Sequence, residues 1–359
     1  LAALKKTTKS TESGQRILRD QSGFVPLAEV TRGGFVESVH FGMIAVVDLK
    51  GRLQASTGVP DRIIFTRSAC KPFQAIPFVS RGGPGQFGLT QAEVAVTCAS
   101  HSGETMHVDA VRSILQKIGV DENALLCGSH VPYSYRHKGK AGMSPDEFSP
   151  VFNNCSGKHA GMLGLCKLLG VSTDDYLNLN HPVQQEIKSS VSHFMGVSEM
   201  DMVTGIDGCS APNYALPLKN MAWAFAKLAA AGADSHYGTA PSEIFDAMTN
   251  HPRMVSGAGR GDLTLMDGGQ GDWVTKVGGE SVQGVGVRSK GIGIAVKIAD
   301  GNTRAITPVI IEILSQLGLV TNAAGSSLEE ARRPVILNHR NIETGDIRPV
   351  FELNKEAIP

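Results

Sequence analysis

The chain has 359 residues, with 34 Lys and Arg against 34 Asp and Glu, so its net charge is zero. That balance, with no basic stripe and no basic amphipathic helix, gives no reason to expect nucleic acid or a membrane surface as a partner. A hydrophobic share of 42% can fill the core of one large domain or two modest ones, and no apolar run is long enough to span a bilayer.

Leu1 to Gly23 is polar, lacks the apolar middle of a secretory signal, and reads as a mobile arm. Phe35 to Thr57 reads as a hairpin. Met43 to Val47 is apolar and β-branched, Asp48-Leu49-Lys50-Gly51 supplies the turn, and Arg52 to Ser56 runs back. A helix is expected from near Ser68, with Pro72 in the first turn, where a missing N–H costs nothing, and Pro77 kinking or ending it. Thr90 to about Leu228 is mostly helical in pattern: Gln91 to Cys98, His107 to Ile118, Gly157 to Leu169, Pro182 to Met195 and Leu218 to Ala231. Beyond Asp267 the period changes to two. Trp273 to Val277, Ser281 to Val287 and Gly291 to Ile298 read as strands, followed by a hairpin turn at Asp300-Gly301. Thr307 to Leu317 is an apolar helix stopped by Gly318, and the polar tail from Thr321 carries short strands at Val335 to Leu337 and Val350-Phe351.

Strands at both ends and helices between them predict an α+β sandwich, an antiparallel sheet flanked by helices. Residues 24–359 would form one catalytic domain, with a mainly helical part of about 90–265 inserted between N-terminal (24–89) and C-terminal (266–320) α/β parts and 321–359 as a C-terminal extension. Six cysteines, at 70, 98, 127, 155, 166 and 209, are too scattered for a disulfide framework, so free thiols or metal ligation and a cytoplasmic location are expected.

Ser68-Ala69-Cys70-Lys71 sets a hydroxyl and an amine three positions apart, on one face of a helix. The same Ser-x-x-Lys spacing opens the acyl-transfer sites of serine β-lactamases and penicillin-binding proteins. Two further segments come in the order such a site needs: Ser100-His101-Ser102 on a loop after a helix, and Lys276-Val277-Gly278 on the first late strand. Ser68 would attack a carbonyl carbon, Lys71 would accept its proton, and Ser100 would relay a proton to the leaving group. Lys276, a second cation nearby, would push one lysine's proton affinity down. Each piece alone also fits a helix cap, a solvated lysine or a turn serine.

A second constellation is Asn154-Cys155-Ser156-Gly157-Lys158-His159 with Asp207-Gly208-Cys209. Two thiols and a nitrogen donor suit zinc. Ordinary ligand chemistry picks His159, four positions from Cys155, over Lys158, which must first lose a proton. Buried, unligated cysteines fit equally well.

These segments together resemble the asparaginase II family, the Rhizobium-etli-type or class 3 L-asparaginases. The likeness rests on Arg67 to Pro72, Cys98 to Ser102, Asn154 to His159, Asp207 to Cys209, Val274 to Gly278 and the Gly293 to Asn302 region. It implies a serine β-lactamase and glutaminase fold, a homodimer, and hydrolysis of L-asparagine to aspartate and ammonia. It implies Ser68 as nucleophile, with Lys71, Ser100 and Lys276 completing two Ser-Lys pairs. It places zinc on Cys155, Lys158 and Cys209, so it selects Lys158 where ligand chemistry alone selects His159. Arg67, His101, His159 and Asp207 join them as substrate-positioning or supporting groups. Competing expectations are a glutaminase, a β-lactamase or penicillin-binding-type acyl hydrolase, and a zinc-stabilised binding protein without catalysis.

Overall fold

Strands from opposite ends of the chain lie side by side at the centre of the main sheet. The computed structural model describes residues 23–136, 143–320 and 327–355; the expected arm, apart from its last residue, and the first residues of the tail lie outside them. The strands are β1 (Val25–Arg32), β2 (Phe35–Asp48), β3 (Leu53–Thr57), β4 (Ile63–Phe65), β5 (Val203–Ile206), β6 (Pro212–Pro217), β7 (Trp273–Gly278), β8 (Val282–Val287), β9 (Ile292–Ile298), β10 (Val335–Leu337), β11 (Glu343–Pro349) and β12 (Asn354–Lys355). The main sheet runs β10-β11-β1-β2-β9-β8-β7, with β3 between β2 and β12, and every pairing in it is antiparallel. β2 meets β9 from Gly42 opposite Ile298 to Asp48 opposite Ile292. A separate small sheet has the order β4-β6-β5.

The principal helices are α1 (Lys71–Ser80), α2 (Gln91–Thr97), α3 (Thr105–Ile118), α4 (Ser156–Leu169), α5 (Pro182–Met195), α6 (Leu218–Ala229), α7 (Ala240–Asn250), α8 (Gly261–Gly269) and α9 (Ile306–Gln316). They cover both faces of the main sheet. On one face, Val285, Ile294 and Val296 pack with Val309, Ile310 and Ile313 of α9. On the other, α6 lies almost on the strand backbone. A methyl group on Gly293 would sit 1.8 Å from the Ala222 carbonyl oxygen, and one on Gly284 would sit 1.9 Å from the Phe225 ring. Glycine at these positions is what permits the close approach. The result is an α+β sandwich of an antiparallel sheet and flanking helices, as the alternation of patterns along the chain predicts.

Helix α1 is buried from Lys71 to Val79. Pro72 sits in its first turn as expected, but Pro77 does not end it; the helix continues to Ser80. Proline at 77 removes the N–H that the Phe73 carbonyl would accept. The Ser190 hydroxyl of α5 donates to that carbonyl instead, at 2.8 Å. The freed acceptor is thus satisfied from a neighbouring helix, and the turn survives.

Several expectations need correction. Asp300-Gly301 does not turn a hairpin: β9 passes through it into a short 3-10 turn, Thr303–Ala305, and α9. Asn302 starts that turn, its side chain accepting from the Arg304 N–H at 3.1 Å. Val350-Phe351 is not a strand, and the tail's longer strand is β11. Strands β1, β4, β5 and β6 are additional to the expected ones, and the last two interrupt the stretch whose pattern is helical. Among the described residues no helix is long and apolar enough to cross a membrane.

Ser190→Ala should destabilise the fold by about 1–3 kcal/mol by orphaning the buried Phe73 carbonyl. Adding Pro77→Ala, which restores an N–H at that turn, should recover part of the loss. Urea unfolding of the single and double variants checks this; an unchanged midpoint for Ser190→Ala would contradict it.

Candidate active site

Ser68 lies in the 3-10 turn Arg67–Cys70 that leads into α1. It caps neither this turn nor the helix. The turn is held in a conformation that Arg67 would not choose: its φ is 48°, and left-handed backbone costs a non-glycine residue about 1–2 kcal/mol. Asn213 accepts the Arg67 N–H at 3.0 Å, and the Asp207 carboxylate accepts Arg67 Nε at 2.9 Å. One residue earlier, the N–H and hydroxyl of Thr66 both donate to the Tyr214 carbonyl. The small sheet therefore grips the turn through β6 and the loop before it. From the other side, β7 presses in at Gly278, where a methyl group would stand 2.9 Å from the Thr66 oxygen and 3.1 Å from the Ala69 nitrogen. Glycine here lets the strand lie against the turn that carries Ser68, and it also lines the cleft.

Lys71 is completely buried at the start of α1. Its Nζ donates to the Ala99 carbonyl at 2.5 Å, the Ser100 hydroxyl at 3.0 Å and the Asn154 carbonyl at 3.4 Å. It makes no hydrogen bond to the Ser68 hydroxyl. Three acceptors match the three N–H bonds of an ammonium group. Ser100 lies past α2 on a loop pinned by its own N–H, which donates to the Val255 carbonyl at 2.9 Å.

Lys276 comes from β7 and is also fully buried. Its Nζ donates to the Val277 carbonyl at 2.6 Å and faces the Asp262 carboxylate at 3.6 Å. Burial pushes this amine down to about 7; Asp262 works in the opposite direction, while Lys71 and Arg260 reinforce the fall. Burial thus depresses the proton affinity of Lys276.

Ser68, Ser100, Cys155, Cys209 and Asp207 line one cleft of about 320 Å³ with Arg260 on its wall. Lys158 Nζ stands 3.0 Å from Cys209 Sγ. A hydrogen bond from Cys155 holds the Cys209 thiol's proton affinity low against the effect of burial, with Lys158 helping, while that same bond and burial push Cys155 up. Burial opposes the charge on Lys158, but the Cys209 and Cys155 sulfurs keep it above its ordinary value. The pattern is a thiolate balanced by an ammonium. Among the described residues no three His, Cys, Asp or Glu side chains cluster to hold a metal. Two sulfurs and the Lys158 amine do converge, and soft sulfur donors with an amine nitrogen suit zinc once their protons leave.

Five expected groups do not line the cleft: Lys71, Lys276, Lys158 and the two histidines, His101 and His159. His101 is fully buried, accepts the Gly103 N–H at Nδ1, and so donates through Nε2 to the Ser156 hydroxyl at 2.9 Å. It stacks on His107 and braces the first residue of α4. His159 is fully buried too; its Nδ1 lies 2.7 Å from the Tyr176 hydroxyl, and its Nε2 has no hydrogen-bond partner. Burial brings its proton affinity down to about 4, although Cys209 acts to raise it. A neutral imidazole therefore lies within reach of the Cys209 sulfur.

The family model described as L-asparaginase II matches residues 28–349. The chain belongs to the L-asparaginase II family. No curated protein sequence matches the chain. Among solved structures, Mglu in its native form is 15% identical with a TM-score of 0.37; the match covers 79% of this chain and 66% of that one, so this chain spans just under two thirds of its length. Mglu in its L-glutamate binding form in 4.3 M NaCl is 14% identical, with 86% and 67% covered and a TM-score of 0.37. A beta-lactamase from Mycobacterium bovis is 12% identical, with 77% and 94% covered and a TM-score of 0.32. Likenesses this distant say nothing of what this L-asparaginase II chain acts on.

Three groups in or beside the cleft carry no signal in the sequence that marks them for the site. Arg260 lies over the Tyr133 ring at 4.4 Å, and both line the cleft. Asp262, under Lys276, is 1% exposed. In the sequence, Arg260-Gly261-Asp262 looks like the start of a helix with an acid in its first turn, which is the commonplace use of aspartate there.

Proposed function

We propose that this chain hydrolyses L-asparagine to aspartate and ammonia through an acyl-enzyme on Ser68. The observation that carries the reading is the buried Lys276 amine, brought by burial to about 7. An amine with that proton affinity is half neutral near physiological pH and suits general base catalysis. Family membership supplies the amide.

In the proposed reaction Ser68 Oγ attacks the side-chain carboxamide carbon, and its proton passes to the neutral Lys276 amine. The sequence alone points to Lys71 for that step. The three acceptors around Lys71 support the other assignment, in which Lys71 stays charged and its hydrogen bond to Ser100 carries a proton toward the leaving nitrogen. The carbon–nitrogen bond breaks, the nitrogen takes a proton and ammonia leaves. Water then attacks the ester and its proton returns by way of Ser100 to Lys71, which gave one to the leaving nitrogen, while Lys276 hands the Ser68 proton back as the ester bond breaks and aspartate departs. Arg260, which has no carboxylate partner among the described residues, offers its guanidinium to the substrate's α-carboxylate. Arg67 and Asp207 hold the nucleophile turn and one edge of the cleft. Asparagine rather than glutamine rests on the family alone, since one methylene is worth only about 1–3 kcal/mol of discrimination.

The same reading includes a homodimer, and one zinc held by Cys155, Lys158 and Cys209 beside the cleft. Bound there, zinc would add positive charge and Lewis acidity at the substrate's edge.

Ser68→Ala should abolish ammonia release from asparagine while leaving the thermal unfolding midpoint in place. In the native enzyme kcat/KM should fall as pH drops through about 7, because Lys276 then takes a proton. Undiminished turnover in Ser68→Ala, or a profile flat across about pH 6 to 8, would end this mechanism. For the metal, elemental analysis of purified protein should find zinc that is lost in Cys209→Ala. Zinc-free protein with full activity in chelator would remove it from the account.

A further inference from the structure

Asp262 is the second residue of α8, and its carboxylate is withdrawn from water as completely as the Lys276 amine it faces. Its two oxygens are used differently. Oδ1 accepts the Thr275 hydroxyl at 2.8 Å and the Gln283 amide at 2.9 Å. Oδ2 accepts the Val277 N–H at 3.0 Å and looks at Lys276 Nζ at 3.6 Å. Three neutral donors therefore remain on the carboxylate whether or not Lys276 carries its proton. The carboxylate is therefore held in place by contacts that do not depend on the charge of the amine it faces.

We infer that Asp262 is a positioning residue of the reaction: its carboxylate ties the Lys276 amine to the start of α8, so that the amine takes up and returns its proton at one fixed place. The inference rests on the proposed role of Lys276 as base. Asp262 reaches the chemistry only through that amine and does not line the cleft. Its grip on both neighbours of Lys276, through Thr275 and Val277, fixes the strand as well as the side chain. The other charged or titratable groups acting on Lys276 are Lys71 from α1, Arg260 from the loop before α8 and, least, Cys155 at the start of α4. Cys98, past the end of α2, is a neutral thiol pushed up to about 12 by burial. Asp262 is the largest of the charges that favour the protonated amine.

The test is the pH dependence of asparagine hydrolysis in Asp262→Asn and Asp262→Glu. Removing the negative charge makes the protonated amine less favourable, so Asp262→Asn should lower kcat at least about tenfold and move the acid limb down by about one pH unit. Asp262→Glu keeps the charge but displaces it by a methylene. It should hold the limb in place while kcat falls by a similar factor. An Asp262→Asn enzyme with reduced kcat and an unmoved limb would make Asp262 merely structural and overturn the inference. Should the Asn variant fail to fold, an unchanged kcat or a displaced limb in Asp262→Glu would overturn it. A fully active Ser68→Ala would instead overturn the nucleophilic mechanism, so the two failures are distinguishable.

Discussion

Lys71 and Lys276 are both removed entirely from water, within range of each other's charge. Two buried ammonium groups without compensation would cost several kcal/mol each. The arrangement persists because the two amines are treated differently. Lys71 is wrapped by two backbone carbonyls and a hydroxyl, which satisfy an ammonium without supplying a full negative charge. Lys276 has one carboxylate, shared with three neutral donors, and burial brings it down to about 7. Two chemically identical side chains thus meet unequal surroundings.

The fold exists to hold that inequality in place. Lys71 sits on a helix buried along its length, Lys276 on a strand whose Gly278 presses the nucleophile turn. The strand reaches the turn because β2 and β9, far apart in the chain, pair along their full overlap and carry β8 and β7 with them. Gly284 and Gly293 let α6 lie against this central region, so the sheet has little room to slide. Across the cleft, the cysteine pair and Lys158 solve a similar problem with the opposite sign: a thiolate balanced by an ammonium.

Much of this is legible in the sequence wherever the information is local. Helix α5 falls on the expected bounds, Pro182–Met195, because its proline start and glycine stop are sequence signals. The period-two runs mark β7, β8 and β9 for the same reason. Pro77 misleads because the compensating hydroxyl, Ser190, lies on another helix and cannot be read beside it. Asp300-Gly301 misleads because dipeptide chemistry predicts a turn without specifying whether a strand or a helix comes next. In the candidate site, the serines, lysines and cysteines carry chemical types that stand out. Asp262 does not, since its meaning comes from a strand placed against it by tertiary folding. Nor can spacing say how many acceptors surround each lysine amine, as those come from distant segments.

The central claim is that burial brings the Lys276 amine down to about 7. Lysine-labelled protein, titrated by NMR with Lys276→Met to assign the signal, measures this directly. The account predicts one amine that titrates near about 7 and disappears in the variant. Finding every lysine charged up to about pH 10 would contradict it.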